Sequence, residues 1–192
     1  MSGDEQKTKE DHAGEWSDHF EESIRTESTW AKVVLSACYL DELLYQLLGI
    51  LLKPNEEKSD PLFDGPQAPL SSFNAKIDLA ARMGVIDRKT WESLHLVRRI
   101  RNKFAHALDR CDFNDPQIEA WNKKLHELND CATERRRAMF SDRPIGDFEK
   151  SVSWLVYWIK YTIQDIPTLC PSCGSEMEHR AKIKAARPGG HG

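Results

Sequence analysis

An all-α bundle of five or six helices is the fold this sequence predicts, on three observations. Apolar residues recur every three or four positions through most of the chain. Asp, Pro and Gly stand where helices start and stop. No convincing alternating strand and no internal repeat interrupts that pattern.

Residues 1–14 are polar and small, with no apolar period, and read as a flexible acidic lead-in. The helical domain spans 15–167. Within it, residues 15–26 suit a short helix carrying Trp16, Phe20 and Ile24, spaced four apart. From Thr29 to Leu52, Val33, Ala37, Leu40, Leu44, Leu47 and Leu51 mark one stripe, while Val34, Leu43, Leu48 and Ile50 fill most other directions. A helix apolar on most sides is central to its fold, and Glu42 with Gln46 leaves only a narrow polar edge. Residues 53–72 hold four prolines and one glycine and read as a long loop, pinned to the body by Leu62 and Phe63.

A helix from about Phe73 to Met83 is stopped by Gly84. Asp87 caps the next one, which runs to about Leu108. Asp115-Pro116 pairs a cap with a first-turn proline and opens a helix bearing Ile118, Trp121, Leu125 and Leu128. The last long helix starts near Pro144, carries Phe148, Val152, Leu155, Val156, Ile159 and Ile163, and ends at Pro167. Residues 168–192 form a C-terminal tail.

The 192 residues suffice for a sizeable core, and their net charge of -4 is not that of a general nucleic-acid binder. The charge is uneven, however. Residues 1–25 carry a net of -5, whereas residues 76–110 hold nine Lys or Arg against four acids, a net of +5. Such a basic segment is either a local anion-binding surface or a solvated helix face. No run reaches the roughly 18 uninterrupted apolar residues of a membrane span, and the N-terminus lacks a basic-then-apolar signal. A cytoplasmic protein is expected, and its five cysteines fit reduced thiols.

The segment Arg101-Asn102-Lys103-Phe104-Ala105-His106 concentrates the chemistry. At 100° per residue, Leu94, Val97, Ile100, Phe104 and Leu108 share the core face. His95, Arg99, Asn102 and His106 line up on another face, so Asn102 and His106, one turn apart, can act on one ligand. Arg101 falls within the apolar arc, where a charge must be paired or must serve something; a salt bridge to Asp41 or Glu42 is one expectation. The other is phosphate chemistry. A guanidinium matches phosphate bidentately, a histidine moves protons near neutral pH, and an asparagine orients either partner. Arg98, Arg99 and Lys103 are the expected RNA-binding neighbours.

Val34 to Leu48 (VLSACYLDELLYQLL), Leu62-Phe63 and Leu70 to His106 (LSSFNAKIDLAARMGVIDRKTWESLHLVRRIRNKFAH) together resemble the mannitol operon repressor family, MltR, across roughly residues 28–165. That resemblance implies a compact helical protein that regulates expression without a DNA-reading element of its own. The run Arg101-Asn102…His106 also resembles the Arg-Asn-x-x-x-His signature of HEPN domains. This second resemblance implies a helical homodimer with the motifs of two subunits facing each other. In active members, Arg and His cleave RNA without metal. Carried over, Arg101 steadies the phosphate, Asn102 positions and His106 acts as acid or base.

The tail departs from the MltR pattern. Cys170-Pro171-Ser172-Cys173-Gly174 is a zinc-knuckle-like turn whose second ligand pair is missing; His179 and His191 are candidates to complete it. The alternative is an unmetallated or redox-active turn, and Cys111 and Cys131 read as structural thiols. Arg180, Lys182, Lys184 and Arg187 make the end basic. No helix-turn-helix stands out, so direct base reading in a major groove is unsupported. Two functions follow: an MltR-like regulator acting through RNA or protein contacts, and a metal-independent HEPN-type endoribonuclease using Arg101 and His106.

Overall fold

The computed structural model describes residues 20, 22–52, 55, 59–107, 112–129 and 146–166. Among these residues the chain is helical, with no strand. After a helical turn at 22–24 come α1 (Thr29–Leu51), α2 (Phe73–Arg82), α3 (Arg88–His106), α4 (Pro116–Asn129) and α5 (Asp147–Asp165).

Each start has a cause in the sequence. The Ser28 hydroxyl accepts from the Ala31 N–H at 3.2 Å and Ser72 does the same for Ala75, also at 3.2 Å. Asp87 accepts from the Thr90 N–H at 2.7 Å. Asp115 takes the amides of Gln117 and Ile118, and Pro116, lacking an N–H, fills the first helical position. α2 ends as the sequence predicts. Gly84 adopts φ 72°, the Gly84 N–H reaches the Ala81 carbonyl, and the Val85 N–H reaches that of Ala80. These two bonds satisfy carbonyls that the helix end leaves open.

Helices α1, α3, α4 and α5 form a ring in which each packs on two neighbours, and α2 lies over the seam between α1 and α3. Leu40, Leu44, Leu47 and Leu48 of α1 are fully enclosed, as are Leu94, Val97 and Ile100 of α3. By length and composition α1 passes for a membrane span, with a mean hydropathy of 1.4 over its most apolar stretch. Its leucines other than Leu35 are buried in the core, and Asp41 and Lys76 make an ion pair at its side. Phe20 and Ile24 of the leading turn are buried as expected, while Trp16 lies outside the described residues.

Polar ties fix the seams. Asn129 is 4% exposed and its amide donates to Ser93 across α4 and α3 at 3.0 Å. Lys32 of α1 meets Glu149 of α5 at 3.4 Å. The connection before α2 is held by Phe63, buried and edge-on to Tyr45 at 4.8 Å between centroids, whereas Leu62 is exposed. The Leu70 N–H bonds back to the Leu62 carbonyl at 2.8 Å, closing this loop on itself and delivering Ser71 and Ser72 to the start of α2.

Two expected ends shift. α3 ends at His106 with Ala107 as its cap, and Leu108 lies outside the described residues. α5 starts at Asp147 behind Gly146; Pro144 and Pro167 also lie outside them. Removing buried methylenes from the ring should be costly. Leu44→Ala is expected to lower unfolding free energy by about 2–5 kcal/mol in urea titrations. The half-exposed Leu35→Ala on the same helix should change it little.

Candidate functional site

Because α3 spends one face on the core, its opposite face must carry the polar residues. That face meets the start of α2 and forms an open cleft of about 350 Å³. Arg98, Arg101 and Asn102 of α3 line one wall; Ser71, Ser72 and Asn74 line another, and Cys38 with Asp41 of α1 completes it. The first amides of an α-helix have no intrahelical acceptor, and the first turn of α2 carries no acidic residue. Asp41 is the carboxylate of this cleft, and the Lys76 ammonium neutralises it at 2.7 Å. Two guanidinium groups and a helix N-terminus therefore dominate the local field.

The structure corrects the expected place of Arg101. Its side chain is exposed, not buried, and pairs with neither Asp41 nor Glu42. Asp41 is taken by Lys76, and Glu42 accepts from the Gln46 amide at 3.0 Å. The helical wheel assumes cover along the whole helix; beside Arg101 the neighbouring wall is the cleft. There Arg101 Nη1 donates to Asn102 Oδ1 at 3.1 Å, which fixes both side chains.

His106 occupies the last position of α3, is exposed, and does not line this cleft. Arg101 and Asn102 are thus brought together, and His106 is left outside. Lys103 has a structural role: its ammonium reaches Asp115 at 2.7 Å and Gln117 at 2.8 Å, tying α3 to the start of α4. That contact holds the Asp115 carboxyl below its ordinary 3.8, with the backbone amides of Gln117 and Ile118 acting in the same direction. Arg99 is exposed, and Arg98 is half-buried with its Nε enclosed and without a hydrogen-bond partner among the described residues.

A second cluster stands one to three turns back along the same face. Asp78 of α2 accepts from the Trp91 indole N–H at 2.9 Å, from His95 Nε2 at 3.1 Å and from Asn74 at 2.9 Å. The indole N–H foremost, helped by His95 and Asn74, holds the Asp78 carboxyl below its ordinary 3.8 against partial desolvation. His95 is pushed below its ordinary 6.5 by burial, which outweighs the attraction of Asp78, and Arg98 and Arg99 push the same way. At neutral pH His95 is a neutral imidazole donating to Asp78. Sequence reasoning placed His95 on this face but missed Asp78, Trp91 and Arg88. The signal was present: stepping back from Asn102 by three or four residues meets Arg98 or Arg99, His95, Trp91 and Arg88.

Among the described residues no group of three or more His, Cys, Asp or Glu side chains is arranged to hold a metal ion. Cys170, Cys173 and His179, the expected zinc ligands, lie outside the described residues, as do His191, Cys111 and Cys131. Comparison with protein-family models, with curated proteins and with solved structures finds no match in any of the three.

The His95 shift fixes a pH dependence. A lowered native pKa means the unfolded chain takes the proton first, so the stability due to His95 is complete above its ordinary 6.5. It is lost as pH falls through the lower native value; the Asp78 contribution, of the same sign, is lost only below its ordinary 3.8. Urea midpoints between pH 7 and 5 should fall for the wild type and fall less for His95→Gln. Parallel curves would show that burial of this imidazole does not set the dependence.

Proposed function

We propose that the chain is a cytoplasmic regulator of the MltR type that holds single-stranded RNA through the cleft of Arg98, Arg101 and Asn102, not through a DNA-reading helix. One observation carries this reading: the side chains of Arg98 and Arg101, with no carboxylate partner among the described residues, share a cleft with the N-terminal turn of α2. Guanidinium groups bind phosphate in a planar, two-pronged manner, and helix N-termini favour the same anion. The Arg101–Asn102 bond holds one prong in place before the ligand arrives.

Binding is favoured over cleavage because cleavage asks Arg101 and His106 to meet at one phosphate. Within one chain, the cleft that takes Arg101 and Asn102 does not take His106. A homodimer that brought His106 of a second copy to the cleft would supply the missing group, and the nuclease reading depends on it. A zinc ion on Cys170, Cys173 and His179 belongs to the proposal as a separate feature of the tail. Metal analysis of the purified chain should find about one zinc per chain, lost in Cys170→Ser.

Fluorescence anisotropy with labelled single-stranded RNA and a chelator tests the main reading. Arg101→Ala should weaken binding at least about tenfold and reduce the salt dependence of log K by about one. His106→Ala should bind as the wild type does, and the RNA should stay intact. Cleavage that survives the chelator and disappears in both variants would replace regulation by an endoribonuclease. Failure of the wild type to bind any RNA would remove the proposal.

A further inference from the structure

Arg98 lines a second opening as well. This cleft, about 400 Å³, is walled by Asp78, Arg88, Trp91, His95 and Arg99 among others. We propose that it is a nucleobase subsite: a single RNA strand lies along the polar face of α3, with a phosphate in the Arg98–Arg101 cleft and a base a few nucleotides along stacked on a platform made by Arg88 and Trp91. This rests on the RNA reading above and extends it from one phosphate to several nucleotides.

The platform is built before any ligand arrives. The Arg88 guanidinium carbon lies 4.2 Å from the centroid of the Trp91 ring, and Arg88 Nε donates to Glu92 at 3.1 Å. The indole is itself fixed by its N–H bond to Asp78 at 2.9 Å, and the His95 ring stands edge-on to it at 4.5 Å. Backed by the indole on one side, the Arg88 side chain is still 75% exposed, so its outer surface is open to solvent. A flat guanidinium held in this way is a surface on which nucleobases stack, without regard to sequence. Glu92 is shared by Arg88 and by Lys124 at 3.8 Å, and Asp78, whose three donors are neutral, keeps its charge in a cleft that Arg98 and Arg99 also line. Arg98 belongs to both clefts and Arg99 to the second, so cationic side chains continue from one to the other.

The spacing suits a short strand. Trp91 and Asn102 lie about 16 Å apart along α3 at 1.5 Å per residue. That spans roughly five nucleotides at the 3.4 Å rise of a stacked strand, and fewer if the strand is stretched.

The test separates base stacking from phosphate attraction. Full-length chain is titrated with a labelled RNA octamer of adenosines and with an octamer of the same length whose internal residues are abasic. The wild type should bind the base-bearing strand about tenfold more tightly. Arg88→Lys keeps the charge and removes the plane, and should bind both strands with the affinity that the wild type has for the abasic one. If Arg88→Lys retains the full preference for bases, the subsite is overturned while the phosphate cleft stands, provided that Arg101→Ala still weakens both strands. If the wild type binds neither strand, the RNA reading itself fails and the subsite with it. Tighter binding of the corresponding single-stranded DNA would also overturn RNA as the ligand.

Discussion

Helix α1 sets the conditions for everything else. Leucines occupy so much of its circumference that water can be excluded only by covering it from several sides, each enclosed leucine contributing about 1.5–3 kcal/mol. α2, α3 and α5 supply that cover, and α4 closes the ring from the far side of α3 and α5. α3 therefore points Leu94, Val97, Ile100 and Phe104 inward. Its polar residues are left on the remaining face, alongside α2. The candidate site is what remains after the core has taken what it needs.

The positive balance of residues 76–110 divides under the same logic. Lys76 is only 6% exposed and would be intolerable without Asp41; Asp41 itself stays 32% exposed, so breaking the pair would strand the lysine charge. That pair also removes the one carboxylate that would oppose an anion in the first cleft. Lys103 is spent on the junction with α4, and Arg88 is fixed by Glu92 over Trp91. Arg98, Arg99 and Arg101 have no carboxylate partner among the described residues, and all three line one or both clefts. A count of charges along the sequence cannot separate these groups, because it does not show which cations already have a partner.

Much of the fold was legible because its determinants are local. Caps at Asp87 and Asp115, the stop at Gly84 and the stripes of α1, α3 and α5 follow from short-range periodicity and turn chemistry. Half of the loop anchor was legible too, since Phe63 is buried as expected and Leu62 is not. The site was legible only as a run of residue types. Arg101 was misplaced because a helical wheel knows the angle of a side chain but not where along the axis its cover stops. Asp78 was missed because its three partners come from α2 and α3 together, and pairings across helices leave no periodic trace. Trp91 was passed over because one tryptophan in an amphipathic helix reads as core.

The division of α3 into an inward and an outward face has a further consequence, for how such a protein changes over time. Arg88, Arg99, Arg101 and His106 are exposed, and none belongs to the packed interior. Replacing them changes the charge and shape of the surface while the ring of helices keeps its packing. Substitutions along this one helix face therefore leave the fold nearly unchanged, each within about 0.5 kcal/mol.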